Sequence, residues 1–138
     1  MYSLSTEHSF DAAHFLSGYV GKCKNIHGHR WRVVVEVRAE QLKEDTQQRG
    51  MCVDFSELKK DLKEEVDVFD HAFVIEKGSL KENTVLALKE EGFRLIEVDF
   101  RPTAENFARY FYDKIKNRNY DVDFVRVYET PKNCATYR

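Results

Sequence analysis

The chain has 138 residues, enough for one domain with a buried core, and an ordinary globular composition of 42% hydrophobic and 33% charged residues. A net charge of −2 offers no basic field for nucleic acid or an anionic membrane, and no apolar run reaches spanning length. Met1–Glu7 lacks the basic and apolar regions of a signal peptide, and three cysteines is an odd number, so the expectation is a cytoplasmic protein without a disulfide framework.

Tyr2, Leu4, Thr6, His8 and Phe10 alternate with Ser3, Ser5, Glu7 and Ser9. A period of two predicts a first strand with even positions inward, and Ala12 and His14 continue that parity. Residues 15–24, with Gly18 and Gly21, read as a loop. From Arg30 to Arg38 the odd positions Trp31, Val33, Val35 and Val37 are apolar, while Arg30, Arg32, Glu36 and Arg38 are not. This predicts a half-buried strand from about His27 to Glu40 with odd positions inward. Run backward, the parity takes in His29 and His27, so both imidazoles leave one face. Residues 41–50 are a polar connection ending in Gly50.

Asp54, with Glu57 three residues on, resembles a capping box. Phe55, Leu58, Leu62, Val66 and Phe69 then recur at helical spacing, and the helix stops near Asp70–His71. Residues 79–91 predict a short surface helix closed by Gly92, and Phe93–Phe100 a short extra strand. Pro102–Thr103 opens the second long helix, whose apolar stripe is Ala104, Phe107, Ala108, Phe111 and Ile115. After a turn at Asn117–Asp121, Val125 and Val127 share parity with Glu129, so a carboxylate points the way the core does. Thr130–Asn133 turns the chain into a last strand, Cys134–Tyr137.

The predicted order is ββααββ in a single domain over residues 1–138, with residues 73–100 a helix/strand insert between the two long helices. The class is α+β: a four-stranded antiparallel sheet with two long antiparallel helices on one face. The opposite face lacks a cover of sufficient size, which predicts a homo-oligomer burying sheet edges or faces between subunits.

His14, His27 and His29 fall at inward parity on adjacent strand ends. Three neutral imidazoles without a fourth protein ligand leave an open coordination position, the pattern of a catalytic zinc; a lone inward His is more often a hydrogen-bonded core residue. His8 sits deeper in its strand and reads as structural. Cys23 has three readings: a fourth metal ligand, a small buried hydrophobe, or a general base or nucleophile whose thiolate is favoured by flanking Lys22 and Lys24. Cys52 and Cys134 lack such flanks and read as structural. Asp70–His71 is either a helix C-terminus with a His on its dipole or a carboxylate orienting a proton-moving imidazole. Glu129, inward on a strand, needs partners: an Arg, or the two donors of a planar amidine-like edge such as a pterin or guanine. Lys22, Lys24, Arg30 and Arg32 are a local anion site or a solvated edge.

Six motifs in this order resemble the 6-pyruvoyl-tetrahydropterin synthase superfamily over nearly the whole chain. They are Phe10-Asp11-Ala12-Ala13-His14, Cys23-x3-His27-Gly28-His29, Val53-Asp54-Phe55, Asp70-His71, Pro102-Thr103-Ala104-Glu105-Asn106 and Tyr128-Glu129-Thr130. The resemblance implies the T-fold, commonly a hexamer of two stacked trimers, acting on 7,8-dihydroneopterin triphosphate. It implies that His14, His27 and His29 bind Zn2+. Cys23, Asp70 and His71 then transfer protons in sites shared between subunits, and Glu129 anchors the pterin with Thr103 nearby. The three-residue gap from Cys23 to His27 resembles the 6-carboxy-5,6,7,8-tetrahydropterin synthases of queuosine and deazapurine biosynthesis. That implies a lyase releasing acetaldehyde and triphosphate. The alternatives are the pyruvoyl-forming enzyme, which has no side-chain cleavage, and a non-catalytic zinc- or pterin-binding oligomer. The chain departs from many members in carrying Val74–Ile75 after the Asp-His pair, and in a longer stretch at 76–99.

Overall fold

The first two strands pair along their whole length. In a computed structural model describing residues 1–138, β1 (Tyr2–His14) and β2 (His27–Ala39) run antiparallel from Tyr2↔Ala39 to His14↔His27. Even positions of β1 and odd positions of β2 face inward as the alternation predicts: Phe10, Trp31, Val33, Val35 and Val37 are all buried. The elements that follow are α1 (Phe55–Val66), β3 (Ala72–Glu76), α2 (Glu82–Glu90), β4 (Leu95–Val98), α3 (Ala104–Lys116), β5 (Val122–Tyr128) and β6 (Cys134–Tyr137).

The predicted four-stranded antiparallel sheet and ββααββ order need correction. The sheet has six strands in the order β4-β3-β1-β2-β5-β6, and it is mixed, because β3 runs parallel to β1 and β4 parallel to β3. β3, α2 and β4 form a β–α–β unit that widens the sheet. Parallel neighbours need a crossover, and α2 supplies it. β4 lies within the strand expected at 93–100. β3 escapes alternation because Ala72, Val74 and Ile75 are all buried, and a strand covered on both faces reads as a continuous apolar run.

The two long helices begin where the capping residues predict. Asp54 accepts a hydrogen bond from the Ser56 amide at 2.7 Å, and Thr103 accepts one from the Asn106 amide at 3.3 Å. Both helices bury an apolar stripe, Leu58, Leu62 and Val66 from α1 and Ala104, Phe107, Ala108, Phe111 and Ile115 from α3, in the same core as the inward strand residues. Phe10 and Trp31, opposite one another in register, stack with centroids 5.7 Å apart, and Phe107 meets their rings at 5.6 and 5.1 Å. Each such fully buried ring contributes about 1.5–3 kcal/mol of transfer free energy. Arg118 ties the helices at their far end through Asp61, Glu64 and Glu65. β5 joins β2 with a register shift beside Glu36 and Val37. That bulge explains how Val122 and Val125, of opposite parity, are both buried.

The sheet face away from the helices is polar and crossed by Arg30–Asp11 and Arg32–Glu7 pairs at 2.9 and 2.8 Å. β1 meets β3 only at Ala12 and Ala13, so the edge of β1 before Ala12 has no strand partner within the chain.

Candidate active site

The end of the β1–β2 ribbon brings His14, His27 and His29 together. Their ligand-capable nitrogens lie within 4.8 Å of one another. His14 and His27 are opposite in register, with Nε2 atoms 3.1 Å apart, and His29 follows two residues along the same face. The rings pack on the core through Trp31, whose centroid is 4.9 Å from that of His14 and 5.5 Å from that of His29. A rigid indole beneath two imidazoles fixes where they can point.

The outer nitrogens are tied to backbone. His14 Nδ1 donates to the Pro102 carbonyl at 2.7 Å, and His27 Nδ1 donates to the Asn25 carbonyl at 2.7 Å. Both bonds leave the Nε2 lone pairs facing the shared centre. Burial, reinforced by the neighbouring imidazoles, pushes His14 down to about 4 against the opposing Pro102 bond. Burial also lowers His29, against the pull of Glu129. At neutral pH His14 is uncharged, the state a metal requires. Nε2 of His29 is buried without a hydrogen-bond partner. The nearest carboxylate oxygen, on Glu129, stands 3.5 Å away, too long for a hydrogen bond. Three converging imidazoles, one holding an orphaned buried nitrogen, fit a metal ion such as zinc.

Glu129 follows β5 and its amide donates to Asn133 O at 3.1 Å. Beside it is a cavity of about 430 Å³ bordered by His29, Arg32, Tyr128, Glu129 and Thr130, within the size range of small-molecule sites. Arg32 lies 3.8 Å over the Tyr128 ring, forming one stiff wall.

Cys23 lies half-buried in a 3-10 turn, Lys22–Lys24, between His14 and His27 in sequence. The Leu16 amide donates to Cys23 O at 2.9 Å, closing the loop onto the end of β1. Gly21 makes the turn possible: at φ 147, an added Cβ would stand 2.6 Å from the Tyr19 ring. Within the gap, Asn25 bonds Lys22 O through its amide and side chain while its carbonyl takes His27 Nδ1. The short gap is thus a mechanical link between the thiol and one imidazole.

Asp70 and His71 form a dyad at the sheet edge. Asp70 Oδ2 accepts from His71 Nδ1 at 2.9 Å, and Oδ1 accepts from the Asp11 amide at 2.9 Å. The Asp11 amide first, and the His71 ring second, hold the Asp70 carboxyl below the usual carboxylate range. The His71 amide donates to Asp11 O at 2.7 Å, and His71 takes φ 54, a left-handed conformation uncommon outside glycine. Its side chain is 79% exposed. His71 and His29 border one shallow surface cavity with Asp11, Gly28 and Arg30.

Thr103 is spent mainly as the α3 cap, adjacent to the Pro102 carbonyl that holds His14. His8 bonds Asp67 at 2.8 Å and takes no part in the cluster. Cys134 is exposed and Cys52 half-buried, both free. Sequence reading missed the carbonyls of Pro102 and Asn25, because a backbone acceptor leaves no residue signature. It also missed the Arg32–Tyr128 wall, where a β2 Arg and a residue before Glu129 were the available signal. No helix is long and apolar enough to cross a membrane.

Comparison with known proteins agrees with this geometry. A sequence model of the family described as 6-pyruvoyl tetrahydropterin synthase matches residues 3–138. A Haemophilus influenzae protein named 6-carboxy-5,6,7,8-tetrahydropterin synthase is 34% identical over 141 residues, covering 100% of this chain and 99% of that one. Caenorhabditis elegans 6-pyruvoyl tetrahydropterin synthase superposes with a TM-score of 0.69 at 28% identity, over 99% of this chain and 94% of its own. An uncharacterized Wolinella succinogenes protein shares the fold at a TM-score of 0.80 and 21% identity, over 99% of this chain and 97% of its own. The chain belongs to the 6-pyruvoyl tetrahydropterin synthase family.

Proposed function

We propose that the protein is a cytoplasmic, zinc-dependent 6-carboxy-5,6,7,8-tetrahydropterin synthase, a lyase of queuosine and 7-deazapurine biosynthesis. Its substrates are 7,8-dihydroneopterin triphosphate and water; its products are the 6-carboxy pterin, acetaldehyde and triphosphate. The observation that carries this reading is the cluster of three converging imidazoles beside Glu129. The names of relatives similar over the full chain favour the carboxy product.

His14, His27 and His29 would hold Zn2+. Bound there, zinc would supply Lewis acidity toward a substrate hydroxyl and the carbon that bears it. Glu129 accepts two N–H groups from the guanidine-like edge of the pterin and fixes the ring. Cys23, as thiolate, removes the proton from the side-chain carbon next to the ring. His71 has Nδ1 engaged by Asp70, so its Nε2 returns a proton. Triphosphate leaves from the side chain, and the electrons that reduce the pyrazine ring come from the side-chain carbons, so no nicotinamide is consumed. Cleavage of the carbon–carbon bond releases acetaldehyde, and water supplies the second carboxylate oxygen. The exposed position of His71 and the unpartnered β1 edge support a site completed between subunits, as a hexamer of two trimers.

A second reading, the pyruvoyl-forming synthase, is favoured by the likeness to Caenorhabditis elegans 6-pyruvoyl tetrahydropterin synthase. Mass spectrometry of products from the zinc-loaded protein separates the two. The expected result is acetaldehyde and 6-carboxy pterin in step with triphosphate. Triphosphate with a 6-pyruvoyl product and no acetaldehyde establishes the second reading. Pterin binding without triphosphate release sinks both and leaves a binding protein.

A further inference from the structure

One buried metal-facing imidazole is held by a turn rather than by a side chain. His14 Nδ1 donates to the carbonyl of Pro102, which lies between Arg101 and the α3 cap Thr103. That peptide is locked from both sides. The Thr103 amide donates to Arg101 O at 2.7 Å, closing a three-residue turn around Pro102. The Asn106 side-chain amide donates to the same Arg101 oxygen at 2.9 Å, while the Asn106 backbone amide takes Thr103 Oγ1 at 3.3 Å. Pro102 fixes φ and is itself buried. The carbonyl direction that sets the His14 ring therefore depends on the one side chain reaching back across the turn.

We propose that Asn106 is a positioning residue of the metal centre, acting through the Arg101–Pro102–Thr103 turn on His14. Asn is required by chemistry and by length. Nδ2 must donate to a carbonyl that already accepts the Thr103 amide, so an aspartate there would aim a charged acceptor at an acceptor. An alanine would leave Arg101 O with a single donor and free the turn to rotate. Either change relaxes the Pro102 carbonyl, and with it the ring orientation and basicity of His14. This inference rests on the zinc reading of the three histidines.

The test is zinc affinity of the full-length protein, measured by competition with a chromophoric chelator. The variants are N106A and N106D, with D54A as the control. Asp54 caps α1 as Asn106 supports the start of α3, so D54A loosens a helix end without touching the turn. The expected result is zinc binding weakened about tenfold in N106A and at least as much in N106D. D54A should bind like the unsubstituted protein. The absorption spectrum of the Co2+-substituted N106D protein should also shift, since ligand geometry has changed. N106D conserves side-chain volume and provides the reading if N106A fails to fold. Affinities of both Asn106 variants within twofold of the unsubstituted protein overturn the proposal. An equal loss in D54A also overturns it, because the effect would then be general loosening. If the unsubstituted protein binds no more zinc than H29A, the zinc reading itself fails and the inference falls with it.

Discussion

His14, His27 and His29 leave the inward face of β1 and β2, with His14 and His29 packed on Trp31, whereas His71 stands at the sheet edge with its side chain 79% exposed. The cluster takes its order from strand register and core packing, and burial lowers the pKa of His14 and His29. The dyad takes its order from backbone: two hydrogen bonds to Asp11 and a left-handed His71. The difference suits the two tasks proposed for them. Metal ligands must be neutral and immobile, while a proton carrier must keep an accessible nitrogen and an oriented tautomer.

Breaking the buried side has the largest expected effect. H29A removes an imidazole whose Nε2 has no other partner. Zinc affinity should fall more than ~100-fold, exceeding the loss from an outer hydrogen-bonding partner, and turnover should vanish. Chelator competition and product assay check both. H29A that still binds zinc like the parent would remove His29 from the ligand set.

Substitution of Cys23 sharpens the comparison, since the thiol sits on the loop that also fixes His27. C23A should retain zinc and bind pterin while turnover falls about 100- to 10,000-fold, the range of a lost general base. Loss of zinc in C23A would make the thiol a ligand and defeat the mechanism. On the exposed side, H71A and D70N should lower kcat by about 100-fold or more without moving zinc affinity. Zinc affinity that falls in step with activity would join the two regions into one site.

The same contrast explains what was legible in the sequence. Trp31, Val33, Val35 and Val37 alternate because one face is buried, and that parity alone places His27 and His29 on the core side. Asp54 and Thr103 announce α1 and α3 through cap chemistry. β3 gives no such signal: Val74 and Ile75 are adjacent and both buried, and only Ala12 and Ala13 of β1 receive the strand. A parallel strand joined by so short a ladder is chosen by tertiary packing, not by local pattern. The His71 conformation is equally hidden, since it is set by Asp11, far earlier in the chain. The carbonyls of Asn25 and Pro102 carry no residue identity, so their role can be read only from distances.

The smallest expected effect concerns acid. Asp70 is held below the usual carboxylate range, first by the Asp11 amide and then by the His71 ring. A carboxyl depressed in the folded state contributes stability above its unfolded value, and that contribution is lost as pH falls through the folded value. The window here therefore lies below about pH 4. The side chain is 37% exposed, so solvent screening keeps the contribution small. D70N preserves an acceptor for the Asp11 amide but has no proton to take up. Asp67, another depressed carboxyl, titrates in both proteins and cancels in the comparison, while the Asp70 charge raises Asp11, so losing that charge in D70N partly offsets the difference. Denaturant midpoints measured at pH 6 and pH 3 should consequently fall slightly less in D70N than in the parent. An equal fall in both would mean that the dyad is held by backbone geometry alone, with no ionic share from Asp70.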